Sequence, residues 1–337
     1  MTDPQSQDAG GVREPGPALG DERALPGDVV LTETAAAEIY GEERGRGLAL
    51  QAPPGTSKLV TALWALPAMV WLLLFLVAPV VVVVVVSFFT GTITGFSETW
   101  TTSNYTTIFS STSTYLDTLE KVARNAAIVT AVCLIIGYPV AYFLALKVKK
   151  VQYAFGLFII ALAPFFTSTL IRVEAWIPTM GATGAINSIL TKIGIINHPV
   201  SILLFTDFAV IVALVQLLVL FMVTPIFFQL AALDRSAIEA ARDLGASGWR
   251  VFVHVTLPLT RGGIIIGSVF VFVLAMGDFG TYRLVGGGQV GSIGLNIDTL
   301  VSLLQFPQAA AQAAILVVAM VVGVTILLRF ARLQERM

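Results

Sequence analysis

The sequence predicts an all-α membrane protein with about six transmembrane helices. Three observations carry that prediction. Hydrophobic residues make up 56% of the 337 and charged residues only 12%, with a mean hydropathy of +0.85; soluble domains are less apolar and more charged. The apolar residues come in runs of roughly 20, the length that crosses a hydrocarbon core of about 30 Å. Basic residues concentrate on one side of those runs, the bias that orients membrane helices.

Residues 1–57 hold ten acidic residues and four arginines among Gly, Pro and Ala. That composition buries too little apolar surface to offset chain entropy, so a disordered acidic tail is expected there. A basic start followed by a short apolar core is missing, so no cleaved signal peptide is expected. The first span is expected over 63–89, with Pro67 and Pro79 able to kink it. An external loop rich in Thr, Ser and aromatic residues should fill 91–115, and a second span 123–146 should end at Lys147, Lys149 and Lys150. Further spans are expected at 153–176, 208–228, 262–276 and 311–330.

Sidedness follows from Lys and Arg. Lys147, Lys149, Lys150, Arg235, Arg242, Arg250, Arg261, Arg329, Arg332 and Arg336 fall on one side, against Lys121, Arg124, Arg172, Lys192 and Arg283 on the other. Both termini, and the stretch between the fourth and fifth spans, should therefore be cytoplasmic.

That stretch reads as a small soluble helix-turn-helix. Ser236 and Glu239 have the spacing of a capping box. Ala240, Ala241 and Leu244 extend the helix, and Gly245 offers a left-handed stop. A second short helix should run over 249–255 and close at Leu257-Pro258. Small residues at 240, 241 and 245 leave a low surface that another backbone can approach.

Glu239-Ala240-Ala241, then Gly245, Val255 and Leu257-Pro258 resemble the EAA motif of permease subunits of ATP-binding-cassette importers, with Val255 where the pattern has isoleucine. Ile136-Gly137-Tyr138-Pro139-Val140-Ala141-Tyr142-Phe143-Leu144-Ala145 is similar to the LGYPxAxxLA signature of spermidine/putrescine-type permeases. Segments at 168–172, 233–258, 276–279 and 286–288 also resemble that group. The resemblance implies a type I importer (MetI-like) permease domain over 58–337, with a coupling loop at 231–260. It implies a multi-pass subunit of the bacterial inner membrane that works with an ATPase dimer, a second homologous permease, an extracytoplasmic substrate-binding protein and membrane lipid. ATP and Mg would be held by the partner ATPase, with no cofactor in this chain. The cargo it implies is a polyamine or a related small solute.

Other classes fit the residues less well. Gly286-Gly287-Gly288-Gln289-Val290-Gly291-Ser292 lacks the lysine of a phosphate-binding loop. Nucleic-acid binding by the helix-turn-helix is disfavoured by its place between two spans. Neither a metal site nor a disulfide is expected from His198, His254 and the lone Cys133. No catalytic set of side chains converges in a span, so no enzyme is expected. An ion-coupled secondary transporter is the alternative, and it would call for repeated halves and mid-membrane charges.

Candidate substrate-path residues are Asp278, Tyr282, Glu174 and Trp176. At about 1.5 Å per residue, Asp278 lies about 25 Å beyond Arg261, at the level expected for Glu174 and Trp176. Carboxylates and ring faces both attract an ammonium group. Asp278 and Tyr282 share a face if the helix continues; Gly277 and Gly280 allow it to unwind instead. Arg172 or Arg283 pairing with Glu174, or Arg283 with Asp278, is the structural alternative.

Overall fold

A computed structural model describes residues 58–92, 95–110, 114–148, 150–200 and 203–333 of the chain. The expected tail at 1–57 lies outside the described residues, as do Lys149 and Arg336. The chain divides into two units, Met1–Val70 and Trp71–Met337. The described part of the first is helical from Lys58, within α1 (Lys58–Leu72).

In the second unit a π-helical turn at Leu73–Val77 leads into α2 (Ala78–Val86). The expected external loop folds into a hairpin of β1 (Phe89–Thr92) and β2 (Gly95–Trp100) followed by α3 (Ser103–Ile108). Asn104 ties these together, its amide donating to Ser87 O at 2.8 Å and Phe89 O at 2.9 Å. Helical periodicity is absent there because the order comes from strand pairing and one buried amide.

The second span is α4 (Tyr115–Tyr142), extended by a π-helical turn to Lys147. The fourth is α9 (Asp207–Ala231), and the fifth ends in α13 (Arg261–Gly277). These three helices form the core. In lipid, association depends on close van der Waals approach, which small residues permit. Gly263 and Gly267 supply it: a Cβ at Gly263 would lie 2.7 Å from Pro225 O, and one at Gly267 2.8 Å from Met222 Sδ. From the other side, a Cβ at Gly137 would lie 3.2 Å from Met222 Cγ. Buried Met222 thus fills the gap between α4 and α13.

The outer helices are different. Residues 71–84 of the first span are exposed throughout, and α16 (Phe306–Leu333) exposes Val317, Val318, Val321 and Val322. Such apolar exposure suits lipid or a partner subunit rather than water.

Among the described residues four helices are long and apolar enough to cross a membrane, or up to six spans when two bent pairs are each taken as one. The third span is the first bent pair. It comprises α5 (Val151–Leu162), a 3-10 turn at Ala163–Phe166, and then α6 (Thr169–Glu174), α7 (Trp176–Met180) and α8 (Ala185–Lys192) beyond an 89° bend. The span expected over 153–176 is therefore broken inside that range and runs on to Lys192. Pro164 opens the 3-10 turn and Ser168 is extended, so the α-helical ladder stops short of Glu174 and Trp176. Between α9 and α13 lie α10 (Arg235–Asp243), α11 (Gly248–Val251), a π-helical turn at Phe252–Thr256 and α12 (Leu257–Leu259). The segment Gly248–Leu259 meets α13 at a 65° bend. After α13 come α14 (Gly280–Leu284) and α15 (Ile293–Ser302).

Candidate functional site

The turn between α9 and α13 has its own local order. Asp234, rather than Ser236, caps α10: its Oδ1 accepts from Ser236 N at 2.9 Å and its Oδ2 from Ser236 Oγ at 2.7 Å. Those bonds stabilise the carboxylate and hold its pKa below the ordinary value. The expected capping box is corrected, because an aspartate one residue ahead of the helix takes the serine hydroxyl as a donor. The glycine stop is present. Gly245 has φ +80°, and its N–H reaches Arg242 O at 2.8 Å while Ala246 N–H reaches Ala241 O at 3.1 Å. That pair of bonds is a Schellman motif. Ser247 Oγ then caps α11 by accepting from Arg250 N at 3.4 Å.

Pro258 does not close the second helix. It lies inside a continuous helical path, because the π-helical turn before it and its place in the first turn of α12 remove the need for its missing N–H. Val255 and Leu257 are half-buried here. Glu239 and Ala240 are exposed, Ala241 is half-buried and Ile238 is buried, so the small residues lie on the open side. Two large apolar side chains flank the glycine stop in the open: Leu244 is 89% exposed and Trp249 71%.

The inner side of the turn packs on α4. Trp249 stacks on Phe252 at 5.4 Å, and Phe252 meets the edges of Tyr138 and Tyr142 at 5.5 and 5.9 Å. Tyr138 Oη lies 3.0 Å from Thr260 Oγ1. These contacts were not anticipated as a group. A signal was present, since two tyrosines four residues apart at one end of a span share a helix face.

At the far end of α13 the chain forms a ledge. The helix stops at Gly277, Asp278 is extended (φ -68°, ψ 130°), and α14 starts at Gly280. Asp278 and Tyr282 therefore do not share a continuous helix; the unwound geometry is the one observed. Asp278 Oδ1 accepts from Thr281 N at 2.8 Å, and its carbonyl accepts from Ser292 Oγ at 3.0 Å. Tyr282 is fully buried, its hydroxyl beside Asn125 without hydrogen-bond geometry. Asn125 in turn donates to Asp207 at 2.8 Å.

The other two candidates sit beyond the bend of the third span. Glu174 is exposed and Trp176 half-buried. Leu170 of α6 approaches α14, 3.9 Å from where a Cβ on Gly280 would stand. No hydrogen bond or ion pair joins Glu174 or Trp176 to Asp278 among the described residues. Arg283 pairs with Asp298 at 2.9 Å, and the Arg172 guanidinium stands 5.1 Å over the Phe165 ring. Neither arginine neutralises Asp278 or Glu174.

Known proteins resemble the chain over most of this architecture. No protein-family model matches it. The spermidine/putrescine transport system permease protein PotB of Escherichia coli is 35% identical over 268 residues, 79% of this chain and 96% of the relative. The PotB of Haemophilus influenzae is 38% identical over 225 residues, 66% of this chain and 77% of the relative. Among solved structures, a bacterial alginate importer in complex with its alginate-bound periplasmic protein matches with a TM-score of 0.58 at 19% identity, covering 81% of this chain and 94% of that one. At that identity the structural match speaks for the fold, which is the MetI-like fold of importer permeases.

Proposed function

Because the chain belongs to the spermidine/putrescine-type permease family of ATP-binding-cassette importers, we propose that it forms half of a pore for polyamine cations. It is a multi-pass translocation subunit of such an importer, and family membership removes the ion-coupled secondary transporter from consideration. The alginate importer has a periplasmic binding protein in its complex, and a soluble receptor is proposed as the outer partner here. An ATPase dimer holding ATP and Mg inside, and a second homologous permease, complete the proposed assembly, with both termini cytoplasmic.

The observation that carries the coupling role is the pair Leu244 and Trp249, large, apolar and open to solvent beside Gly245. Paired on a polar turn that the Lys/Arg bias puts on the cytoplasmic side, they are proposed as a protein contact. Glu239, Ala240, Ala241 and Gly245 form the low face proposed to seat in the ATPase. Val255, Leu257 and Pro258 form the stiff segment behind it. Closure of the ATPase pair would push this element and turn the pore toward the receptor.

For the cargo path, Glu174 and Asp278 supply the acid and Trp176 an aromatic face. Tyr282 joins them only when α14 moves, since it is sealed in this conformation. A cation gains from both groups because carboxylate and ring quadrupole act in the same sense. Residues 1–57 are proposed as a dispensable tail, so a chain starting at Lys58 should assemble and transport normally.

The deciding experiment reconstitutes the chain with its ATPase, second permease and receptor in vesicles. Spermidine should drive receptor-dependent ATP hydrolysis and accumulate inside. Accumulation of an anion such as molybdate or an alginate oligosaccharide in its place would overturn the polyamine reading.

A further inference from the structure

The turn 235–259 is joined by the chain to α9 on one side and α13 on the other. A push on it reaches those two helices directly. The second span, α4, has no such connection, yet it makes the densest aromatic contact with the turn. Two hydroxyls meet there. Thr260 Oγ1 donates to Thr256 O at 2.9 Å, with Leu257 O at 3.2 Å as a second acceptor. A threonine hydroxyl has one proton, so when Thr260 gives it to Thr256 O, Tyr138 donates in the 3.0 Å bond between the two hydroxyls.

Thr260 is fully buried and stands at the 65° bend between α12 and α13. A threonine hydroxyl bonded back to the preceding turn is a device that bends helices. Tyr138 therefore grips the residue that sets the bend. Its two neighbours prepare it for this. Gly137 lets α4 press against Met222 and Val223 of α9, with a Cβ there standing 3.2 and 3.3 Å from them. Pro139 has no N–H to give its own helix, and the π-helical turn at Phe143–Lys147 follows, so the end of α4 below the grip can yield.

We propose that Tyr138 is a positioning residue: through Thr260 and the Phe252–Trp249 stack it clamps the hinge and passes the ATPase stroke to the second span. This rests on the permease reading above, and it adds a path that the chain connectivity does not supply. Movement of α10 then carries the end of α4 with it instead of folding the hinge beneath it.

Two measurements test the clamp. In reconstituted vesicles, spermidine uptake per ATP hydrolysed should fall about fivefold in Tyr138→Phe, the equilibrium weight of one net hydrogen bond. ATPase pull-down and melting temperature should hold. Thr260→Ser should keep the wild-type ratio, Phe252→Leu should lower it, and adding Tyr138→Phe to Thr260→Val should cost nothing beyond Thr260→Val alone, because that variant has already lost the shared bond. Independently of cargo, spin labels at Ile135→Cys and Leu259→Cys, both exposed, should keep one narrow separation on ATP binding in the wild type. That separation should widen in Tyr138→Phe. A wild-type complex that takes up no spermidine counts against the cargo reading and leaves the label measurement to decide the clamp. Equal label separations in wild type and Tyr138→Phe, or an unchanged uptake ratio in both Tyr138→Phe and Phe252→Leu, would overturn it. So would loss of assembly in Tyr138→Phe with an unchanged ratio in Thr260→Val, which would make the bond structural only.

Discussion

The turn at one end of α13 and the ledge at the other both interrupt a helix, and they are held in opposite ways. In the first half of the turn the order-giving bonds are local, from Asp234 to Ser236, from Gly245 back to Arg242 and from Ser247 to Arg250, and long-range bonds such as Tyr138 to Thr260 come where it joins α13. In the ledge they reach across the chain. Ser292 bonds Asp278, Arg283 pairs with Asp298, Phe205 N–H donates to Val285 O, and Asn125 bonds Asp207. A locally bonded element keeps its shape while the rest of the molecule changes, which suits a part that must fit another protein. A cross-linked one keeps its shape only while its neighbours stay, which suits a part that opens when they move.

Two glycines with left-handed backbone, Gly245 in the turn and Gly287 in the ledge, put this contrast to the sharpest test. Gly245 has φ +80° with open space around it, whereas Gly287 has φ +57° with the Phe205 ring where a Cβ would go. Gly245→Val strains the backbone by about 1–3 kcal/mol at one point. Uptake should fall at least about tenfold if that strain shifts the docking angle, with a smaller drop in melting temperature in detergent than Gly287→Ala gives, because the space around Gly245 is open. Wild-type transport by this variant would remove the turn from the coupling role. Gly287→Ala should show the reverse, a destabilisation of about 1–3 kcal/mol from overpacking, read as a lower melting temperature. If both glycines act alike on melting, the turn is not autonomous and the comparison fails.

Smaller changes refine it. Ser292→Ala removes both the bond to the Asp278 carbonyl and the cap on Leu295 N–H, and should cost about 1 kcal/mol of stability. Measured by thermal melting, no loss would show that α15 holds the ledge without it. Asp278→Asn is the mildest, since its Oδ1 can still accept from Thr281. The spermidine concentration for half-maximal uptake should rise about threefold, the scale of a partly solvated charge contact, with stability unchanged. An unaltered uptake curve would reduce Asp278 to the cap of α14.

Much of the framework was legible before any coordinates. Apolar run length and Lys/Arg bias set the number of spans, and the EAA spacing placed the turn, because each depends on residues near one another in the chain. The glycine stop at Gly245 was readable for the same reason. The capping residue was misread by two positions: Asp234 and Ser236 both have the chemistry of a cap, and only the chain's path shows which oxygen faces the first N–H groups. The break in the third span went unread for a different reason, and of the two geometries open at Asp278 and Tyr282 the fold took the unwound one. Apolar content does not report a break inside a span, because lipid and protein interior both tolerate the same residues.

By itself the sequence determined the class of protein, the approximate set of spans, and the place and glycine stop of the turn between α9 and α13. Local bonds, capping chemistry and the thickness of a bilayer act over a few residues or over composition. Only the tertiary structure decided that Tyr138 holds Thr260, that Met222 fills the space left by Gly137 and Gly267, and that Tyr282 is sealed beside Asn125. Each joins residues far apart in the chain, Tyr138 and Thr260 by 122 positions, and such pairs are chosen by which helix faces meet. That choice is made by the packing of the whole bundle, which no short stretch of sequence contains.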